Sequence, residues 1–306
     1  RMRFTRRQFT AYMAASMTLA AIPNSLLASS QPFAGGRLYS FSDGVMNLPV
    51  ETLFADVPVA ARDQILAKSG VTDGRLRRPV NVNLLDLGER KILFDVGSGV
   101  NFLPTLGELP AALDAADVDI STITDVVFTH AHPDHIWGIL DDFDDLLMPD
   151  AAYYISQAEW DFWDSDDAMS VMPAGRENFA AGAKSRFDKL RDQISLFRVG
   201  DEILPNIEVV DSAGHTPGHA SLLLHDPAGS VLIAGDALTH SVISFEHPDW
   251  LNESDMDRDQ GAVARKRLLD RLAADKVGLA ATHLPAPGFG RVERNQLVWR
   301  YVAADS

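Results

Sequence analysis

Thr129-His130-Ala131-His132-Pro133-Asp134-His135 constrains this chain more than any other stretch of it. Three histidines and an aspartate fall within six residues, directly after the apolar run Val126-Val127-Phe128. Such a run reads as a short buried strand. In extended backbone alternate residues share a face, so His130 and His132 point the same way. Pro133 breaks the strand, and Asp134 and His135 open the next helix, turned towards a neighbouring point. Two ligands aim at one metal ion and two at another a few ångströms away, the arrangement of a two-metal hydrolytic site.

A complete site needs more ligands, and composition limits where they come from. The 306 residues include nine histidines and no cysteine, which removes disulfides, thiol nucleophiles and thiolate-held clusters. Histidines and carboxylates must do the work. Three further segments share one construction. His215 sits in the Gly/Pro-rich loop Ser212-Ala-Gly-His215-Thr-Pro-Gly-His219, after the strand Ile207–Asp211. Asp236 ends the strand Val231–Ala234, and His283 ends the strand Lys276–Ala281. A single loop histidine is ordinarily a satisfied core or surface residue. Metal-capable residues at four strand ends form a joint pattern, and strand-end loops are where layered α/β folds collect ligands.

Two hairpins are legible between these points. Val80–Leu87 and Lys91–Asp95 flank the turn Gly88-Glu89-Arg90; Ser221–His225 and Val231–Ala234 flank Asp226–Gly229. Ala152–Ile155 reads as another strand. Arg258–Ala274 has helical periodicity, with Val263, Leu268, Leu269 and Leu272 expected on one face. Strands with helices between them, in two successive runs, predict sheets covered by helices.

The pattern HxHxDH followed by His215, Asp236 and His283 resembles the metallo-β-lactamase superfamily. The likeness runs from about Gly36 to Tyr301. It implies an αββα four-layer sandwich with the metal site along one sheet edge. It also implies ligand roles: His130, His132 and His215 on one ion, Asp134, His135 and His283 on the other, and Asp236 bridging. Phe94-Asp95-Val96-Gly97 resembles the family's Asp-x-Gly segment, whose aspartate supports the metal loop from behind. Ligand gaps of 80, 21 and 47 residues resemble the branch of methyl parathion hydrolases and related lactonases. The segments around His283-Leu-Pro-Ala-Pro and His247-Pro-Asp-Trp250 look like that branch too.

The implied activity is cleavage of an ester, lactone or phosphotriester by a hydroxide that bridges two divalent ions, zinc being the default for such ligands. Asp134 is placed to take a proton and return it to the leaving oxygen. Phe102, Trp160, Trp163 and Phe245, with Met169, Met172 and Trp250, are candidates for an apolar mouth for a small molecule with an apolar portion. Core or dimer contacts are the competing reading of these residues. Many lactonases of the superfamily carry Tyr three residues after the bridging Asp, where this chain has Thr239. His219, His225, His240 and His247 fit supporting or surface positions better than catalytic ones. A periplasmic β-lactamase and a metal-binding protein without catalysis are the alternatives.

Residues 1–30 read as an address. Thr5-Arg6-Arg7-Gln8-Phe9, the apolar stretch Ala11–Ile22 and a small-residue end at Ala28-Ser29-Ser30 resemble a twin-arginine export signal. That predicts a periplasmic or secreted protein, with residues 31–306 as one hydrolase domain. The apolar stretch is shorter than the roughly 18–20 residues that span a bilayer, so no stable membrane anchor is expected. Four of the 27 basic residues and none of the 43 acidic ones lie in that segment, which leaves 23 against 43, a net charge of −20. So acidic a surface repels phosphate backbones and counts against a nucleic-acid partner.

Overall fold

A computed structural model describes residues 29–305 apart from 72 and 174. The expected export segment therefore lies outside the described residues, except for Ser29 and Ser30. These two belong to the first strand.

Two seven-stranded sheets form the centre. The first runs in chain order: β1 (Ser29–Phe33), β2 (Gly36–Pro49), β3 (Arg75–Asp86), β4 (Lys91–Phe94), β5 (Asp125–Val127), β6 (Ala152–Ser156) and β7 (Ile194–Phe197). The second holds β8 (Glu202–Leu204), β9 (Ile207–Asp211), β10 (Ala220–Leu224), β11 (Val231–Ile233), β12 (Gly278–Ala280), β13 (Phe289–Asn295) and β14 (Val298–Ala303), again in order. β4 to β7 pair in parallel, as do β11 and β12; the other neighbours are antiparallel.

The period-two alternation of side chains sorts the core into layers. Ile92, Phe94 and Val127 of the first sheet meet Leu222, Leu224, Val231 and Ile233 of the second in one buried cluster. The intervening residues face outwards: Leu93, Val126 and Phe128 pack under helices on one side, Leu223 and Leu232 on the other. The first outer layer includes α1 (Leu109–Ala115) and α2 (Glu177–Leu190), whose Ala180, Ala183, Phe187 and Leu190 recur at helical spacing. The second is α3 (Arg258–Asp275), opened by Asp257, whose side chain accepts from Gln260 N–H. This is the αββα sandwich. Truncating a side chain as enclosed as Leu222 to Ala is expected to cost about 2–5 kcal/mol.

One expectation for α3 needs correcting. Leu268, Leu269 and Leu272 are buried, but Val263 is 64% exposed. It lies five residues before Leu268, which places it well off that face. Arg265 takes the matching position on the buried stripe instead, because its guanidinium has a carboxylate partner, Asp255, there.

Candidate metal centre

The site gathers at the C-terminal ends of β4, β5, β9, β11 and β12. After β5 the chain bends at Thr129, His132 itself has extended dihedrals, and Pro133 then starts a single helical turn, Pro133–Ile136. Asp134 and His135 are thereby swung to a second point. Asp95 follows the last residue of β4 and adopts φ +61°, a conformation sparsely occupied outside glycine. Gly235, at φ +53°, turns the chain so that Asp236 follows β11 directly; a Cβ there would sit 2.7 Å from His219 Nε2. All seven expected ligands are buried, none more than 8% exposed.

Their ligand atoms form two sets. His130 Nε2 is 3.0 Å from His132 Nδ1, which is 2.9 Å from His215 Nε2. Asp134 Oδ2 is 3.6 Å from His135 Nε2 and 3.4 Å from His283 Nε2. Asp236 touches both: Oδ2 lies 3.3 Å from His215 Nε2 and 3.1 Å from His283 Nε2, and Oδ1 lies 3.2 Å from His135 Nε2. Asp134 Oδ2, His135 Nε2 and Asp236 Oδ1 are buried without a hydrogen-bond partner. Orphaned polar atoms converging on one point are what an absent cation explains, and an all-N/O donor set suits divalent ions such as zinc.

Electrostatics agree with that fit. Burial, reinforced by neighbouring imidazoles, holds His130 and His132 well below the usual histidine range, as neutral ligands. Burial also opposes charge on His135, but Asp236, Asp134 and Asp95 together outweigh it and push its pKa up. Burial works against the Asp236 carboxylate too, yet His283, His135 and His215 hold its pKa well below the ordinary value.

Comparison with known proteins agrees with this geometry. A family model described as the metallo-beta-lactamase superfamily matches residues 75–283. The chain belongs to that superfamily. The dizinc quorum-quenching lactonase AidC, solved with a product, superposes with a TM-score of 0.86 at 24% identity, covering 92% of this chain and 99% of that one. The hydrolase AbOPH of the beta lactamase superfamily gives 0.86 at 23%, covering 91% and 98%. A probable metal-dependent hydrolase from Staphylococcus aureus gives 0.74 at 16%, covering 90% and 99%. At such identities the likeness is one of fold. A comparison with curated protein sequences finds no match.

Behind the expected ligands, further hydrogen bonds fix their rings. Asp95 accepts from Thr129 N–H and hydroxyl, both at 2.8 Å, and its Oδ2 lies 2.8 Å from His135 Nδ1. His283 Nδ1 donates to the Pro79 carbonyl at 2.7 Å. His219 accepts from Asp236 N–H at 3.0 Å through Nε2; burial pushes its pKa down to about 3, so the ring is neutral as that bond requires.

Glu159, in the helix Gln157–Trp163, was not singled out by sequence. Its buried carboxylate accepts from Ala131 N–H, Trp163 Nε1–H, Thr216 hydroxyl and Gly218 N–H. It thus ties the loop of His130 and His132 to the loop of His215. Gly218 lets it approach; a Cβ there would lie 2.0 Å from Glu159 N.

A cavity of about 210 Å³ opens over the ligands. Of the aromatic residues expected to form an apolar mouth, Phe102 lines it. Trp160, Trp163 and Phe245 do not: Trp160 stacks on Phe187 at 4.4 Å, Trp163 donates to Glu159, and Phe245 packs against Tyr301. Thr239 lies behind the site, where its hydroxyl accepts from Asn252 Nδ2 at 3.4 Å. The apolar wall comes from elsewhere, from Met46, Leu48, Leu53, Leu103 and Phe179, and two arginines join it, Arg78 and Arg176. Met46 and Leu48 come from β2, a strand the sequence reading did not mark.

Proposed function

We propose that this chain is a two-metal hydrolase that cleaves an ester, lactone or phosphotriester bond of a small molecule. The observation that carries the reading is the Asp236 carboxylate, whose oxygens face both ligand sets at 3.1–3.3 Å. Two divalent ions, zinc by default, would be held by His130, His132 and His215 and by Asp134, His135 and His283, and would supply an acidified water and polarise the electrophile's oxygen.

The chain's own groups do the rest. Asp134 lines the cavity, and with Oδ2 turned towards His135 and His283 its other carboxylate oxygen is the one to receive a proton and return it to the leaving oxygen. Phe102, Leu103 and Phe179 hold the apolar portion of the substrate and keep bulk water back. The fold shared with a quorum-quenching lactonase supports a lactone among the candidate substrates. Residues 1–30 are proposed to direct export; replacing Arg6 and Arg7 by Lys should leave precursor in the cytoplasm, and unchanged delivery would reject that address.

The decisive experiment pairs elemental analysis with a hydrolysis panel of acyl-homoserine lactones, aryl esters, methyl parathion and a cephalosporin on metal-loaded protein. Two ions per chain and turnover of a lactone, ester or phosphotriester are expected. Turnover of the cephalosporin alone would make it a β-lactamase; two ions with no turnover of any substrate would leave a metal-binding protein.

A further inference from the structure

Two arginines face the metal-site cavity. Arg78 lies on β3 between Leu76 and Val80 on the strand's buried face, and it is 4% exposed. Among the described residues its one polar side-chain partner is Asp236, whose Oδ2 is 3.3 Å from Arg78 Nη2, and its Nε has none. Arg176, just before α2, lines the same cavity. It donates to the Glu253 backbone carbonyl at 3.4 Å, and among the described residues no carboxylate forms an ion pair with it. Burial lowers its pKa first, the Arg78 charge lowers it further and the Glu253 carboxylate opposes both, so the two guanidinium groups feel each other.

The charge balance is lopsided. The arginines already cancel the two carboxylates lining the cavity, Asp134 and Asp236. Asp95 and Asp255, behind His135 and His215, would offset part of the charge of two seated divalent ions, and the remainder would face a mostly apolar wall. A low-dielectric cavity with surplus positive charge attracts an anion, even in a chain of net charge −16.

We propose that Arg78 and Arg176 form a carboxylate-binding subsite, so that the substrates are short acyl esters or lactones bearing a second acidic group. A planar guanidinium offers paired donors that match a carboxylate. Arg78 touches Asp236, the residue that spans the two ligand sets, so a carboxylate held there would lie close to the reacting group and is read as part of a short acyl portion. The cavity of about 210 Å³ falls below the roughly 300–1,000 Å³ of drug-sized pockets, which favours a short chain. The bond cleaved rests on the hydrolase reading; the anion subsite does not.

The test uses matched pairs on metal-loaded protein. Mono-p-nitrophenyl glutarate is compared with p-nitrophenyl butyrate in kcat/KM, and glutarate with butyrate in calorimetric binding. One carboxylate of either acid can reach the metals, so the difference reads the second. Glutarate and its ester should be favoured at least about tenfold, the scale of one charge-assisted hydrogen bond. Arg176→Gln should bring both ratios close to one, and Arg78→Lys should reduce them in part, with metal content measured for each variant. Equal binding of glutarate and butyrate by the unaltered protein would overturn the subsite, whether or not the esters are cleaved. Absence of any ester, lactone or phosphotriester hydrolysis, with glutarate still preferred, would overturn only the bond assignment.

Discussion

Asp255 Oδ1 lies 2.9 Å from His215 Nδ1, and its Oδ2 accepts from Arg265 Nη2 at 2.8 Å. A metal-facing ring is thereby anchored, through a carboxylate, to the buried face of α3. The proton is held on Nδ1 and Nε2 is left free to ligate. Asp95 does the same for His135. Arg265 also donates to the Pro248 and Ala237 carbonyls, so one guanidinium braces the loop that follows Asp236 as well.

Asp255→Asn should weaken metal binding by about 10–100-fold while the fold persists, the usual effect of losing such a partner. Competition against a chelator measures it. Arg265→Leu should act differently. It strands the buried Asp255 charge, and loss of a buried partner costs about 3–5 kcal/mol, visible as an earlier denaturant midpoint. Wild-type metal affinity in Asp255→Asn would show that the contact does not tune the site.

Glu159→Ala should affect two loops at once. Four donors lose their acceptor inside the protein, at about 1.5–3 kcal/mol for each bond to a charged group and with partial recovery if water enters. A stability loss of at least about 3 kcal/mol is expected, together with weaker binding at the ion held by His130, His132 and His215. Glu159→Gln keeps the shape but presents an amide N–H to donors, and should lie between. A variant with unchanged melting and metal affinity would rule out this brace.

The candidate ligands, which the fold brings together, were legible because each follows a strand end in a short segment whose residue types have few other uses. Asp236 and His283 come from neighbouring parallel strands, and His215 from the loop after β9. The supporting residues were not legible. Arg78 could have been noticed as a charge at an apolar period-two position, but that needs β3 to begin at Arg75, and the sequence reading started it at Val80. Glu159 is one acid in a Trp-rich helix, and only its partners, 28 and 59 residues away in sequence, give it meaning. The aromatic residues misled for a related reason: size favours a cavity wall and a core equally, and Trp160, Trp163 and Phe245 went to the core. The edges of both sheets, β1 with β2 and β13 with β14, carry less distinctive patterns and depend on tertiary pairing.

Asp43 gives the protein a pH response separate from the ligands. Burial raises its pKa to about 6, against N–H groups of Ser98 and Leu109 that pull the other way. A carboxyl with a folded pKa above its unfolded value binds its proton more tightly when folded. Its contribution is full below the unfolded value of 3.8 and is lost as pH rises towards 6. The loss across that window is about 3 kcal/mol, at roughly 1.4 kcal/mol per unit. Asp43→Asn should lack it, so the stability difference between the two proteins, measured by denaturation in chelator, should change across this range. A constant difference would contradict the assignment.

Asp236→Ala asks the most of the site. The carboxylate meets His135, His215, His283 and Arg78, so its removal takes one negative charge from the midst of four cationic or metal-facing groups. With ions seated, their mutual repulsion loses its screen. At least one ion should bind far more weakly, and hydrolysis should fall by about two to four orders of magnitude. Asp236→Asn should be almost as damaging, because a neutral amide fills the volume without the charge. Excess metal can restore occupancy but not the full rate, since no group then spans both ligand sets. The backbone should hold its course, because His219 accepts from the N–H of residue 236 whatever its side chain. His225→Ala is the contrasting control: that ring pairs with Glu208 on an exposed edge, and its loss should leave metal content and rate nearly unchanged. Full occupancy and wild-type turnover in Asp236→Ala would remove the bridge on which the two-metal reading stands.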